Sequence, residues 1–119
     1  AEKPGEIEQW NRFREPADRY DERLFYHSFS RDAGKARVEL LQDIHRPESS
    51  PRVRLEFDPK ELPNMVQWKM LRKQHYVLGL EPCNVLPVGR ERLREEGKLP
   101  LLAPGEKQQI TISYEYRKP

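Results

Sequence analysis

Val66-Gln67-Trp68-Lys69-Met70-Leu71-Arg72-Lys73-Gln74-His75-Tyr76-Val77-Leu78-Gly79-Leu80-Glu81-Pro82 contains two strand-like runs, 66–71 and 76–81, joined by the polar stretch Arg72 to His75. A connection of that length predicts an antiparallel hairpin. Successive side chains of a strand point to opposite faces, so Tyr76, Leu78 and Leu80 share one face and Val77, Gly79 and Glu81 the other. The same alternation sets Trp68 and Met70 against Gln67 and Lys69.

Outward from this hairpin the pattern repeats. Upstream, Leu24, Tyr26 and Ser28 alternate with Phe25, His27 and Phe29, and the aromatic enrichment predicts a strand over 24–29 with both faces covered. Ser30-Arg31-Asp32-Ala33-Gly34 has turn chemistry, with Gly34 free to take positive φ. The half-buried run 36–44 is expected to close a hairpin with 24–29, setting Val38, Leu40 and Ile44 opposite Arg37, Glu39 and Asp43. His45 to Arg52 reads as a loop and 53–57 as another strand. Downstream, 90–96 lacks β-branched residues and ends at Gly97, which predicts a short helix with a glycine just past its end. A final strand is expected over 110–116. Ahead of all these, Ile7, Trp10 and Phe13 or Arg14 stand at helical spacing within 4–14, predicting a short amphipathic helix stopped by Pro16. Six short strands separated by proline- and glycine-rich turns predict an all-β fold, an antiparallel β-sandwich. The prolines fall between the periodic runs and punctuate them.

Composition limits what such a sandwich can do alone. Hydrophobic and charged residues each make up 35% of the 119, a lean core for a self-contained domain, so a partner surface is expected to help. Twenty-two Lys and Arg stand against twenty Asp and Glu with the signs interspersed, which argues against nucleic acid or a membrane surface as partner. No apolar run approaches the roughly 20 residues of a membrane span, and the start has no signal-peptide pattern. One thiol, Cys83, fits a reducing compartment, so a cytoplasmic location is expected. His75 in its hairpin connection and His45 in a proline loop have no Cys or His neighbour at metal spacing, and neither a metal nor a cofactor is expected.

Several motifs then carry a resemblance. Gln67-Trp68-Lys69-Met70-Leu71 is followed by Tyr76-Val77-Leu78-Gly79-Leu80-Glu81-Pro82, then Pro87-Val88-Gly89-Arg90, then Pro104-Gly105-Glu106 before the last strand. In order and spacing this half of the chain resembles the C-terminal portion of the aldose 1-epimerase-like family of the galactose mutarotase superfamily. Glu22-Arg23-Leu24-Phe25-Tyr26-His27 resembles an upstream strand of that family more loosely. The resemblance implies that 1–119 is the C-terminal portion of a galactose mutarotase-like (supersandwich) domain, an incomplete portion of the full fold. It implies a sugar as ligand and anomer interconversion as activity, with a Glu as base at the anomeric hydroxyl and a His as acid at the ring oxygen. Carried over, the base falls on Glu81. The family's acid belongs to sequence upstream of Ala1, so the partner implied is a missing N-terminal portion or another protein chain.

Each candidate residue also has a plainer reading. Glu81 stands near Gly79, and a glycine inside a strand is accepted where a ligand approaches closely; otherwise Glu81 is a solvated strand-end acid and Gly79 marks a bulge. His27 lines the sugar site or is a hydrogen-bonded core residue. Gln67 and Lys69 are favoured over Trp68 for sugar contact, with Trp68 and Met70 packing the core. Asn84 and Arg90 follow Glu81 on a loop where specificity groups sit, while Arg90 also opens the solvated run that continues to Glu96. A carbohydrate-binding protein without turnover is the alternative to an isomerase, and an inactive fragment is the third possibility.

Overall fold

The computed structural model describes residues 7–118. A single 3-10 turn at Ile7–Gln9 precedes β1 (Arg23–Ser28), β2 (Ala36–Leu41), β3 (Arg52–Phe57), β4 (Asn64–Arg72), β5 (His75–Cys83), helix α1 (Arg90–Glu95) and β6 (Ile112–Arg117). The strands make two three-stranded sheets, β1-β4-β5 and β2-β3-β6, and all their pairings are antiparallel. The fold is all-β and of the sandwich kind, as the alternating runs predict.

Pairing departs from expectation at the start of the chain. β1 does not form a hairpin with β2; it pairs with β4, Phe25 opposite Gln67, while β2 pairs with β3. The turn between β1 and β2, with Gly34 at φ 81°, carries the chain from one sheet to the other. The crossing is fixed by apolar packing at its two ends. Phe29 meets Phe57 edge-on with ring centroids 5.2 Å apart, and Ala36 is buried beside Phe57. β2 also ends earlier than expected, at Leu41, and Ile44 is exposed in the loop to β3. The helix expected over 4–14 begins outside the described residues; of its described part, 7–14, only the 3-10 turn is helical.

The shared core is small. Ala36, Leu55 and Phe57 from one sheet meet Met65 from the other, with Leu62 between them and Leu80 and Ile112 at the margin. The apolar face of β2-β3-β6 extends well beyond this joint. Phe57 is opposite Ile112, Leu55 opposite Tyr114 and Val53 opposite Tyr116, yet exposure climbs from 2% at Phe57 to 68% at Tyr114 and 64% at Tyr116. The outer part of that face has no cover among the described residues. Size tells the same story: the chain exposes 9692 Å² where a compact 14.2 kDa monomer would expose about 6,800 Å². Its radius of gyration, 16.8 Å, exceeds the value of about 13.5 Å for a compact chain of this length.

The opposite face of β2-β3-β6 carries charge. Arg37 pairs with Glu56 at 2.9 Å, Arg54 with Glu39 at 2.8 Å, and Glu115 extends the chain of pairs to Arg54 and Arg117. Helix α1 ends as the sequence predicts. Gly97, at φ 67°, donates to the Arg94 carbonyl, and Lys98 donates to the Leu93 carbonyl, closing a Schellman motif that seats Leu93 in the interior.

Candidate functional site

Sheet β1-β4-β5 presents two chemically different faces, and the register assigns each candidate to one of them. Arg23, Phe25 and His27 of β1, Met65, Gln67, Lys69 and Leu71 of β4, and Tyr76, Leu78 and Leu80 of β5 share the inner face. Leu24, Tyr26, Asn64, Val66, Trp68, Met70, Val77, Gly79, Glu81 and Cys83 share the outer one. Glu81 therefore lies across the sheet from His27, Gln67 and Lys69.

The inner face is covered by the segment that follows the 3-10 turn. Lys69 is only 2% exposed, and its Nζ donates to the carbonyls of Gln9 (2.8 Å) and Arg12 (2.7 Å). The ammonium also stands 4.7 Å from the centroid of the Phe13 ring and 5.2 Å from that of Phe25, a cation–π arrangement. Gln67 Nε2 donates to the Trp10 carbonyl at 2.8 Å and its Oε1 accepts from His27 Nε2 at 3.0 Å. Trp10 packs edge-on against the His27 ring. Tyr76 adds a bond from its hydroxyl to the Arg14 carbonyl. Side-chain donors thus take up the carbonyls of Gln9, Trp10, Arg12 and Arg14, and the segment lies on the sheet as a strap. The expectation that Trp68 and Met70 pack the core while Gln67 and Lys69 face away is reversed in the structure: Gln67 and Lys69 are buried under the strap, and Trp68 is half-buried on the outer face.

Among the described residues no carboxylate pairs with Lys69. Burial, then the charges of Arg23 and Arg14, push its pKa down from 10.5 to about 8. A lysine bound less tightly by its proton in the folded state weakens folding while it is charged, and that penalty disappears as pH rises from about 8 towards 10.5. Stability is therefore expected to climb across this window, by at most about 1.4 kcal/mol per pH unit. Urea unfolding at stepped pH should show the rise in the wild type and a flatter profile in Lys69→Met.

The outer face is where Glu81 sits. A Cβ built on Gly79 would lie 2.6 Å from Glu81 Oε1 and 3.3 Å from Trp68 Cβ, so the missing side chain leaves room for the carboxylate to fold back along the strand. Trp68, directly opposite Gly79, is held by a bond from its Nε1 to Glu22 Oε2 at 2.7 Å. Tyr26 and Leu24 flank it on β1, both about half exposed. The result is an open surface with an aromatic ring, a phenol and a carboxylate side by side. Gly79→Ala is expected to displace the carboxylate, the far end of a flexible side chain, while changing stability by less than about 1 kcal/mol. The denaturation midpoint and the NMR signal of the Glu81 carboxyl carbon report these separately. Cys83, next on this face, has its thiol pKa raised by burial.

The remaining candidates lie elsewhere. Asn84 lines a cavity beyond the end of β5, and Arg90 is the exposed first residue of α1. Trp68, Tyr26 and Asn64 join Glu81 on the outer face. The hairpin register contains the signal for Trp68 and Asn64, since a two-residue Lys73-Gln74 turn sets them opposite Gly79 and Cys83; Tyr26 depends on the β1–β4 pairing. His75 shares this face but stands six residues from Glu81, about 20 Å along the strand. Among the described residues no group of three or more His, Cys, Asp or Glu is placed to hold a metal ion. None of the described helices is long and apolar enough to cross a membrane.

Two antiparallel sheets joined by a small core, one bearing an open face with a carboxylate and aromatic side chains, define an all-β chain of the sandwich class. Residues 1–116 match the model of a family described as a domain of unknown function (DUF4432), and the chain belongs to that family. No curated protein and no solved structure matches it.

Proposed function

We propose that this chain is the C-terminal portion of a galactose mutarotase-like protein of the aldose 1-epimerase type, and that the outer face of β1-β4-β5 handles a sugar. The observation that carries the reading is Glu81 beside side-chain-free Gly79 and opposite-strand Trp68 on an open sheet face. A sugar's C–H surface stacks on an indole, and a carboxylate next to it accepts from hydroxyls. In the catalytic form of the reading, Glu81 removes the proton from the anomeric hydroxyl while an acid protonates the ring oxygen; the ring opens, rotates about one bond and closes. The acid comes from a further polypeptide portion, which also covers the exposed part of the β2-β3-β6 face. The unburied surface supports such a partner.

A second reading, sugar binding without turnover, draws on a specific observation. Among the described residues no histidine lies near Glu81 on its own face: His27 is on the opposite face, and His75 is at the far end of the strand. NMR saturation transfer between the anomers of freshly dissolved aldoses separates the two. Exchange catalysed by the protein supports the isomerase, binding without exchange supports the binding module, and neither binding nor exchange removes both.

A further inference from the structure

Beyond the end of β5 lies a cavity of about 460 Å³, within the range of small-molecule sites. It is framed by the connection from β5 to α1, by α1 itself and by the turn that leaves β1. Its polar lining is Arg31, Asn64, Asn84, Arg92, Glu96 and Lys98. Leu93, buried, forms part of its floor.

The charges in this lining do not balance. Glu96 is its single carboxylate, and its two oxygens are each taken, one by Arg92 Nε at 2.9 Å and the other by Lys98 Nζ at 3.3 Å. Those contacts hold the Glu96 carboxyl below the usual carboxylate range. Two consequences follow. The spacing of Arg92 and Lys98 already suits the two oxygens of one anion, and Arg31, with no carboxylate partner among the described residues, leaves the lining at a net charge of +2, three cations less one carboxylate. The two amides add neutral donors suited to hydroxyls or oxyanions.

The cavity is also contiguous with the face that carries Glu81. Val66 is the cross-strand partner of Glu81, and Asn64 is the next residue of β4 on the same face, which sets Asn64 about 7–8 Å from Glu81 diagonally across the hairpin. Asn64 Oδ1 accepts from Ser28, and its amide group still has two hydrogens to donate to a ligand. A ligand with one end over Glu81 therefore meets an amide at its middle and a cationic cavity at its far end.

We infer that this cavity takes the anionic end of an acidic sugar, a phosphate or carboxylate borne at the end of the molecule away from the anomeric centre. The inference rests on the proposed sugar reading and narrows it from aldoses in general to anionic derivatives. Arg31 and Lys98 supply the attraction, Arg92 pairs with the oxyanion or with Glu96, and Asn64 and Asn84 position the polyol.

The test is an NMR titration of the 119-residue chain with glucose 6-phosphate, glucuronate, glucose and inorganic phosphate, following the side-chain amides of Asn64 and Asn84. At least one acidic sugar is expected to shift both amides and to bind about tenfold or more tightly than glucose, since a charge-assisted contact is worth that much. The comparison of glucose 6-phosphate with glucuronate decides between phosphate and carboxylate. Lys98→Glu and Arg31→Glu, both at exposed positions, should each weaken that binding about tenfold and leave glucose unaffected. Inorganic phosphate binding as tightly as the sugar phosphate would overturn the inference, because the sugar would then contribute nothing. So would unmoved amides, or wild-type affinity for the acidic sugar in both charge-reversal variants. Glucose binding that persists without any preference for anions would remove the cavity's role and leave the sugar reading of Glu81 intact. Binding of an acidic sugar with no catalysed exchange in the protein that also supplies the acid would remove the isomerase and leave the cavity.

Discussion

Replacing Glu81 by Gln is expected to leave sugar affinity within a few-fold of wild type and to slow anomer exchange by about 10²–10⁴-fold, the usual contribution of one general acid–base group. Gln keeps the length of the side chain, its acceptor oxygen and its place above Gly79, but it takes no proton at neutral pH. The loss should therefore fall on turnover and not on binding. The experiment belongs in the protein that supplies the acid, with exchange followed by polarimetry and binding by calorimetry. Wild-type exchange in Glu81→Gln would end the catalytic assignment, and Glu81 would then be a solvated acid at the side of a strand.

Phe57→Ala carries the largest expected effect on stability, a loss of about 3–5 kcal/mol. Phe57 is 2% exposed and stands where the two sheets meet, edge-on to Phe29 and in the cluster with Ala36, Leu55, Leu62 and Met65. Few other side chains join the sheets, so the cavity left by its ring has little around it to collapse inward. A total stability of about 5–15 kcal/mol is usual for a domain, and the variant should be near the limit of folding. Tyr116→Ala provides the contrast. It lies on the same face of the same sheet, but 64% exposed, and its loss should cost less than about 1 kcal/mol in the chain by itself. Urea denaturation of both variants checks the ranking; equal losses would mean that the apolar face of β2-β3-β6 is uniformly buried in solution.

Much of this architecture is legible in the chain because period-2 alternation survives wherever one face is covered. The β4–β5 hairpin is the clearest case. Its short polar turn fixes the register, and with it the grouping of Glu81, Gly79 and Val77. Pairing between distant strands is not legible in that way. Ser30 to Gly34 has all the chemistry of a hairpin turn, and only the packing of Phe29 and Ala36 against Phe57 sends it across the sandwich. The identity of the buried face of β4 was hidden for a different reason. Gln67 and Lys69 read as outward-facing because a polar residue without a partner is costly to bury, and their partners are backbone carbonyls of Gln9, Trp10 and Arg12, which every sequence contains and none advertises. The cavity at the end of β5 was visible only as Asn84; Arg31, Asn64 and Lys98 reach it from three separate stretches of chain.

The rows of alternating charge on the outer face of β2-β3-β6 act as a check on alignment that the apolar face is unable to make. Sliding β2 along β3 by two residues keeps every inward side chain facing inward, and either slide still sets aliphatic against aliphatic or aromatic: Val38 meets Val53 in one direction and Phe57 in the other. Hydrophobic burial is nearly blind to such an error. The charges are not. In the native alignment Arg37 faces Glu56 and Glu39 faces Arg54. One slide brings Arg37 opposite Arg54, and the other brings Glu39 opposite Glu56; like charges directly opposite are destabilising. Individually these exposed pairs add little to the free energy of the folded state. Their worth lies in the misaligned hairpins they penalise, so neutralising Glu39 and Arg54 together should cost the native chain little while widening the set of pairings it samples as it folds.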